Sequence, residues 1–135
     1  MNAFIVTLPD RPGALASVTE ALAHKGINIT GFSGATCGDS GTICILTNDE
    51  SGTREALRDS RWKARERELV VASLADRPGS LAEAARRLAD AGVNIEAAVP
   101  TGMSGGNISV AFATDQPDKA RKALGTEVMT GAHQR

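Results

Sequence analysis

The chain has 135 residues, of which 41% are hydrophobic and 23% are charged, and its formal net charge is -1. These values are typical of soluble globular material, either one domain or two very small ones. The small net charge and the 3% aromatic content, with no tyrosine, argue against a nucleic-acid partner or an anionic membrane surface.

The first half of the chain predicts a strand, a helix, a hairpin of two strands, a short helix and a brief last strand. Alternating apolar residues mark the strands, and helical spacing with Pro and Gly at the ends marks the first helix. The expected positions are a strand at 2–8, a helix from Pro12 to Gly26, a strand from Ile27, a turn at 37–41, a strand at 42–47, a helix at 53–61 and a strand beginning at Trp62.

The second half repeats the first at an offset of 66 residues, which brings "DRPG" at 76–79 onto "DRPG" at 10–13. The same offset aligns further identical residues, among them Leu8 with Leu74, Leu15 with Leu81, Ala16 with Ala82, Leu22 with Leu88, Ala23 with Ala89, Gly26 with Gly92, Asn28 with Asn94, and Ile29 with Ile95. Half of the chain is therefore interpreted as a copy of the other half.

The elements of the second half follow the same order. They are a strand at 67–74, a helix with Leu81, Ala84 and Leu88 as its buried stripe, a strand at 93–99, a turn at 101–106, a strand at 108–113, a helix at 117–124 started by Asp115 or a neighbour, and a last strand at Val128 and Met129. The sequence thus predicts an α+β fold of two tandem ferredoxin-like βαββαβ modules, residues 1–65 and 66–135, with helices on one face.

The start of the chain has neither the basic segment nor the apolar core of a signal peptide, and no apolar run could span a bilayer. We therefore expect a cytoplasmic protein without a membrane partner. In that compartment Cys37 and Cys44 are expected to be free thiols, with a regulatory disulfide as the alternative.

The two "DRPG" turns lie where a strand passes into a helix, and a helix start offers unpaired N–H groups with partial positive charge. Gly13 and Gly79 leave room for a small molecule because they have no Cβ. Asp10 and Asp76 could either cap the helix or accept from an ammonium group. Such a turn would suit a zwitterion such as a free amino acid. The alternative is turn chemistry without any ligand, which also explains these residues.

Asn28 and Asn94 lie at the far end of each first helix, so they could reach such a ligand only through a neighbouring domain. Other chemistry finds no support in the residues. No His or Cys stands at metal spacing, and no nucleophile is ordered with a base, so we expect no metal, no cofactor and no enzymatic activity.

The segments "DRPGAL … GINI" at 10–29 and "DRPGSL … GVNI" at 76–95 resemble ACT domains, the amino-acid-sensing modules attached to aspartate kinases and phosphoglycerate dehydrogenases. The resemblance implies sheets joined side by side and effectors bound at module interfaces. It implies the following ligand-binding residues: Asp10, Arg11, Pro12, Gly13, Ala14, Leu15, Asn28 and Ile29, and Asp76, Arg77, Pro78, Gly79, Ser80, Leu81, Asn94 and Ile95. Ser33–Ala35 and Ala98–Pro100 lack the Gln that aspartate-kinase modules often place there.

The sequence therefore predicts a non-catalytic regulatory protein that binds a free amino acid and acts on a separate partner enzyme. The alternative is an interaction module that binds a partner without any small molecule. The first strand of each half is also apolar opposite its helix-facing side, at Ala3 and Ile5 and at Leu69 and Val71. Because helices cover only one face of a sheet, we expect a second chain to cover part of the other face as a homodimer.

Overall fold

The computed structural model describes residues 1–125, and the chain divides into two compact units. Unit 1 comprises Met1–Arg67 and unit 2 comprises Glu68–Arg135. The last strand predicted at Val128 and Met129 lies outside the described residues. Among residues 1–125, every helix is too short or too polar to cross a membrane.

Unit 1 has an α+β fold in which both helices cover the same side of an antiparallel sheet. Its elements are β1 (Asn2–Pro9), α1 (Ala14–Ala23), β2 (Ile29–Cys37), β3 (Ser40–Thr47) and α2 (Glu50–Asp59). Strand β3 lies between β2 and β1. One cluster of buried side chains joins the inner faces of these strands to both helices: Phe4, Val6, Leu8, Ala14, Val18, Leu22, Ile27, Ile43, Ile45, Ala56 and Leu57.

Unit 2 has the same order of elements. They are β4 (Ala64–Ala75), α3 (Ser80–Asp90), β5 (Ile95–Ser104), β6 (Asn107–Thr114) and α4 (Pro117–Leu124), with β6 between β5 and β4. The sequence predicted a brief strand at Trp62 and another from Arg67. The structure instead has one uninterrupted twelve-residue strand, whose first four residues belong to unit 1.

The first helix of unit 2 buries a different set of residues from the predicted one. Leu81 was expected inside, yet it is 58% exposed, and Ser80, Ala84 and Leu88 are the buried residues of α3. Leu15 is likewise exposed in α1, where Ala14 is buried. The helices begin one residue after Gly13 and Gly79, and this start turns the first leucine of each helix toward solvent.

Two further boundaries differ from the prediction. The turn expected at 101–106 is confined to Gly105 and Gly106, because Thr101–Ser104 continue β5. Helix α2 begins at Glu50, three residues early, since the Asp49 side chain caps it by accepting from the Gly52 amide at 2.9 Å.

The face of β1 away from the helices is also buried. Ala3 and Ile5 are almost inaccessible to water in the single chain, and so is Leu69 at the corresponding place in β4. These residues need no second chain to cover them, whereas Val71, two residues further along the same face of β4, is 38% exposed. The homodimer stays a prediction.

Candidate functional site

The turns that precede α1 and α3 depend on glycine. Gly13 has a φ of 90° and Gly79 a φ of 92°, which is the left-handed region that side chains with a Cβ disfavour. Each glycine occupies the position before the first helical residue. No heavy atom lies within 4 Å of where a Cβ would stand at Gly13, so the space beside this turn is open.

The start of α1 offers backbone N–H groups to a ligand. Asp10 does not cap the helix, which has no side-chain cap. The Ala14 amide donates to the Arg11 carbonyl at 3.3 Å, but the amides of Leu15 and Ala16 have no hydrogen-bond partner among residues 1–125. Of the two roles left open for Asp10, the structure excludes the capping role.

A backbone hydrogen bond ties the "DRPG" loop of unit 1 to the β2–β3 hairpin. The Asp10 amide donates to the Asp39 carbonyl at the hairpin turn, at 3.2 Å. The Asp76 amide makes the matching bond to Gly106 in unit 2, at 2.8 Å. The hairpin therefore stands beside the loop within each unit.

Loop, helix and hairpin together enclose a cleft of about 480 Å³ in unit 1, here called the unit 1 cleft. This volume is in the usual range for small-molecule sites. The cleft is lined from the loop, α1 and the adjoining end of β1 by Leu8, Pro9, Asp10, Arg11, Ala14 and Leu15, and from the hairpin by Phe32, Gly34, Ala35, Thr36, Gly41, Thr42 and Ile43.

The two charged residues of the unit 1 cleft have opposite signs and are adjacent in the chain. Neither Asp10 nor Arg11 has an ion-pair partner within the described part of the chain. In unit 2, by contrast, the Arg77 guanidinium lies 3.5 Å from the Glu83 carboxylate. Unit 1 has Ser17 at that helical position, so Arg11 keeps its charge available.

An exposed apolar surface completes the unit 1 cleft. Phe32 on β2 is 63% exposed, and Leu15 on α1 is 49% exposed. Sequence reasoning missed Phe32. In the segment "TGFSGATC", Phe32 is a single large apolar residue among small and polar neighbours. This isolation was the signal that Phe32 lies at a surface site and not in the core.

Asn28 and Ile29, where β2 begins, are not beside the "DRPG" loop of their own unit. They follow α1, whose ten residues span about 15 Å from the "DRPG" turn. The Asn28 amide donates to the Asn48 side chain at 3.0 Å, and Ile29 packs against the core of unit 1. In unit 2 the Asn94 amide donates to the Asp115 carboxylate at 3.0 Å, and Ile95 packs against that core.

The remaining predicted residues divide by unit. Pro12 and Gly13 form the turn in unit 1 without lining the cleft. In unit 2 a smaller pocket of about 180 Å³ is lined by Arg77 and Ser80 but not by Asp76, Pro78, Gly79 or Leu81. Residues 1–125 contain no cluster of three or more His, Cys, Asp or Glu side chains that could hold a metal ion.

Residues 3–59, which lie within unit 1, match the family model of the ACT domain. The chain contains an ACT domain. No sequence among the curated proteins compared with it matches.

Solved structures of similar fold include protein BT0572 from Bacteroides thetaiotaomicron, at 25% identity and a TM-score of 0.76 over 93% of this chain and 87% of that one. The ligand-free regulatory subunit of aspartate kinase from Thermus thermophilus is also 25% identical, with a TM-score of 0.62 over 93% and 89%. The same subunit from Thermus flavus gives 25% and 0.63 over 93% and 91%. The ACT domain and these regulatory subunits support a ligand-binding regulatory role, and no catalytic family is indicated.

Proposed function

We propose that the chain is a non-catalytic sensor whose unit 1 cleft binds a free amino acid. The observation that carries this proposal is that Asp10 and Arg11, which have opposite charges and no ion-pair partner among residues 1–125, line one open cleft together with Leu15, whose amide at the start of α1 is unpaired there. The match of this unit to the ACT domain and the likeness to aspartate kinase regulatory subunits support the proposal.

Each part of an amino acid has a matching group in the unit 1 cleft. The carboxylate would bind the Arg11 guanidinium and the free amides of Leu15 and Ala16, which carry the positive end of the helix dipole. The ammonium group would donate to the Asp10 carboxylate. A side chain of the ligand would lie against Phe32. The effector position between modules, which the resemblance implies, stays a prediction.

We propose further that the chain consists of two tandem ACT modules, residues 1–65 and 66–135. The 66-residue repeat and the division of the chain next to Arg67 support these boundaries. The second "DRPG" loop is then a second candidate amino-acid site. It is the weaker one, because Arg77 already has Glu83 as a partner.

The proposed sensor forms a homodimer and acts on a separate partner enzyme in the cytoplasm. Strand β2 pairs with β3 on one side only among residues 1–125, so its other edge is available for strand pairing. The exposed Phe32 lies on this strand. Light scattering at micromolar concentration should give twice the chain mass; a mass of 14.0 kDa would contradict the dimer.

Thermal melting of the full chain against each of the twenty amino acids tests the sensor proposal. Ligand at 100 times its dissociation constant stabilises the folded state by about 2.7 kcal/mol, which raises the melting temperature by at least about 5 °C. One amino acid or a few related ones should produce this rise. A flat panel would contradict the sensor and favour the interaction module, for which the exposed Leu15 and Phe32 would be the contact surface.

A matched pair of variants assigns the binding to unit 1. Asp10→Asn should weaken binding by tenfold or more, since a charge-assisted hydrogen bond to the ammonium group is lost. Asp76→Asn makes the same change in the second loop and should leave the binding in unit 1 unchanged. Equal loss in the two variants, or none in either, would contradict the assignment.

A further inference from the structure

Unit 2 contains a pocket that is separate from the unit 1 cleft and differs from it in construction. The unit 2 pocket, of about 180 Å³, runs along the inner side of α3 beside the end of β4. The residues that matter here are Ala72, Arg77, Ser80, Glu83, Ala84 and Arg87, all of which line it.

Two positions that line the pocket have smaller side chains than the corresponding positions of unit 1. At an offset of 66 residues, Ala72 corresponds to Val6 and Ala84 to Val18, and both valines are fully buried in the core of unit 1. Each alanine has two methyl groups fewer than the corresponding valine, so these two positions fill less volume in unit 2.

A buried hydroxyl without a partner lines this space. Ser80 is only 7% exposed, and its Oγ has no hydrogen-bond partner within the described residues. An unsatisfied buried hydroxyl is rare in folded proteins because it loses its bonds to water without replacement. Unit 1 avoids this cost with Ala14 at the same position, so the hydroxyl is specific to unit 2.

Positive charge predominates along the pocket. Arg77 and Arg87 line it on either side of Ser80 in sequence, against the single carboxylate of Glu83. Glu83 is paired with Arg77, whereas Arg87 has no ion-pair partner among residues 1–125. The unit 1 counterpart of Arg87 is Ala21, so this charge is also specific to unit 2.

We propose that the unit 2 pocket binds a small oxyanion, a carboxylate or a phosphate group. The Arg87 guanidinium would donate to it, and the buried Ser80 hydroxyl would donate after rotating about its χ1 bond toward the pocket. This donor set suits planar and tetrahedral oxyanions alike. The proposal does not rest on amino-acid binding in the unit 1 cleft, because the two sites share no residue. It refines the second candidate site, since Arg77 and Ser80 of the second "DRPG" loop line this pocket.

Amide chemical-shift mapping on the isotope-labelled full chain tests this proposal. Sodium acetate and inorganic phosphate are titrated separately, with sodium chloride holding the ionic strength constant. A saturable shift of the Ser80 amide and its neighbours on α3 is expected with at least one probe, and the responding probe identifies the group. No saturable shift on α3 with either probe would overturn the proposal.

Variants that introduce the residues of unit 1 provide the controls. Ser80→Ala and Arg87→Ala should each weaken binding about tenfold or more, and Ala84→Val should abolish it by filling the space. The same spectra show whether each variant is folded, and the surface change Arg87→Ala keeps the test valid if Ala84→Val unfolds. Arg11→Ala, in unit 1, should leave the oxyanion affinity unchanged. Equal affinity in wild type, Ser80→Ala and Arg87→Ala would contradict the site.

Discussion

At the residue scale, the two cysteines have different surroundings, which decide their chemistry. Cys37 is exposed and Cys44 is buried in β3, where burial raises the pKa of its thiol to about 11. Cys44 stands opposite Ser33, four residues along β2 from Cys37, which separates the two cysteines by about 13 Å. A disulfide requires Cα atoms within about 7 Å, so the structure excludes a disulfide that joins Cys37 to Cys44 of the same chain.

A thiol-specific reagent at pH 8 should therefore label one cysteine of the folded chain. Cys37 should react at the rate of an ordinary exposed thiol, and Cys44 only after unfolding, because its thiolate is scarce and shielded. Cys37→Ser is the control and should remove the labelling of the folded protein. Rapid labelling of two thiols per folded chain would contradict the burial of Cys44.

The residue scale also shows where prediction from the sequence fails within a correctly placed helix. Leu81 appeared to begin the buried stripe because leucine is the larger and more apolar side chain. The glycine turn before α3 fixes the helix phase instead, so Ser80 faces inward and Leu81 faces solvent. Phe32 is not part of an alternating apolar pattern, so the sequence did not mark it. Its place in the cleft depends on the "DRPG" loop, which lies beside the hairpin only in the folded unit.

At the element scale, the start of α1 depends on the left-handed conformation of Gly13. Gly13→Ala should lower the free energy of unfolding by about 1 kcal/mol, because a Cβ disfavours this backbone conformation although no atom obstructs it. Gly102→Ala is the control: its site is equally open and its φ is not positive, so stability should be kept or slightly raised. Chemical denaturation measures both. Equal effects would contradict the role of backbone conformation.

Glu66 connects three elements of unit 1. Its carboxylate accepts two hydrogen bonds from Arg54 on α2, both at 2.7 Å, and one from the Asn2 side chain on β1 at 2.6 Å. The bonds from Arg54, and next that from Asn2, lower the pKa of Glu66 to about 2. Because the folded pKa is below the unfolded one, this stabilisation is complete above about pH 4.5 and is lost as the pH falls toward 2.

Glu66→Gln should accordingly lower the free energy of unfolding by about 1 kcal/mol at pH 7, a modest value because the side chain is 27% exposed. Denaturation at a series of pH values should show the difference from wild type shrinking below pH 4.5. Glu55→Gln, on the same helix but in the exposed contact with Lys25, should have a smaller effect. A difference for Glu66→Gln that is constant from pH 7 to pH 2 would contradict the account.

The order of the elements could be predicted from the sequence, but several of their limits could not. Alternation and helical spacing place β1, α1, β3 and α4 nearly as the structure has them. Tertiary context sets the others: the Asp49 cap starts α2 early, and pairing with β6 extends β5 through Ser104. The loop half of the unit 1 cleft was predictable from "DRPG", whereas the hairpin half depends on pairing across β2 and β3.

At the scale of the whole molecule, the two units share an order of elements but offer different chemistry. Unit 1 has a wide cleft lined by Asp10 and Arg11, and unit 2 has a small pocket lined by Ser80 and Arg87. Within residues 1–125, neither Asp10, Arg11 nor Arg87 has an ion-pair partner, and the Ser80 hydroxyl has no hydrogen-bond partner. Differences at single positions of the repeat contribute to this: Ala14 corresponds to Ser80, Ser17 to Glu83, and Ala21 to Arg87. A duplicated sequence therefore need not carry a duplicated site.

The central claim is that a free amino acid binds in the unit 1 cleft of the folded chain. Amide chemical-shift mapping with the amino acid that gives the largest thermal stabilisation tests it most directly. The account predicts saturable shifts at Leu15 and Ala16 and along β2 from Phe32 to Thr36, with much weaker binding in Asp10→Asn. Saturable binding whose shifts avoid these residues, or none with any of the twenty amino acids, would contradict it.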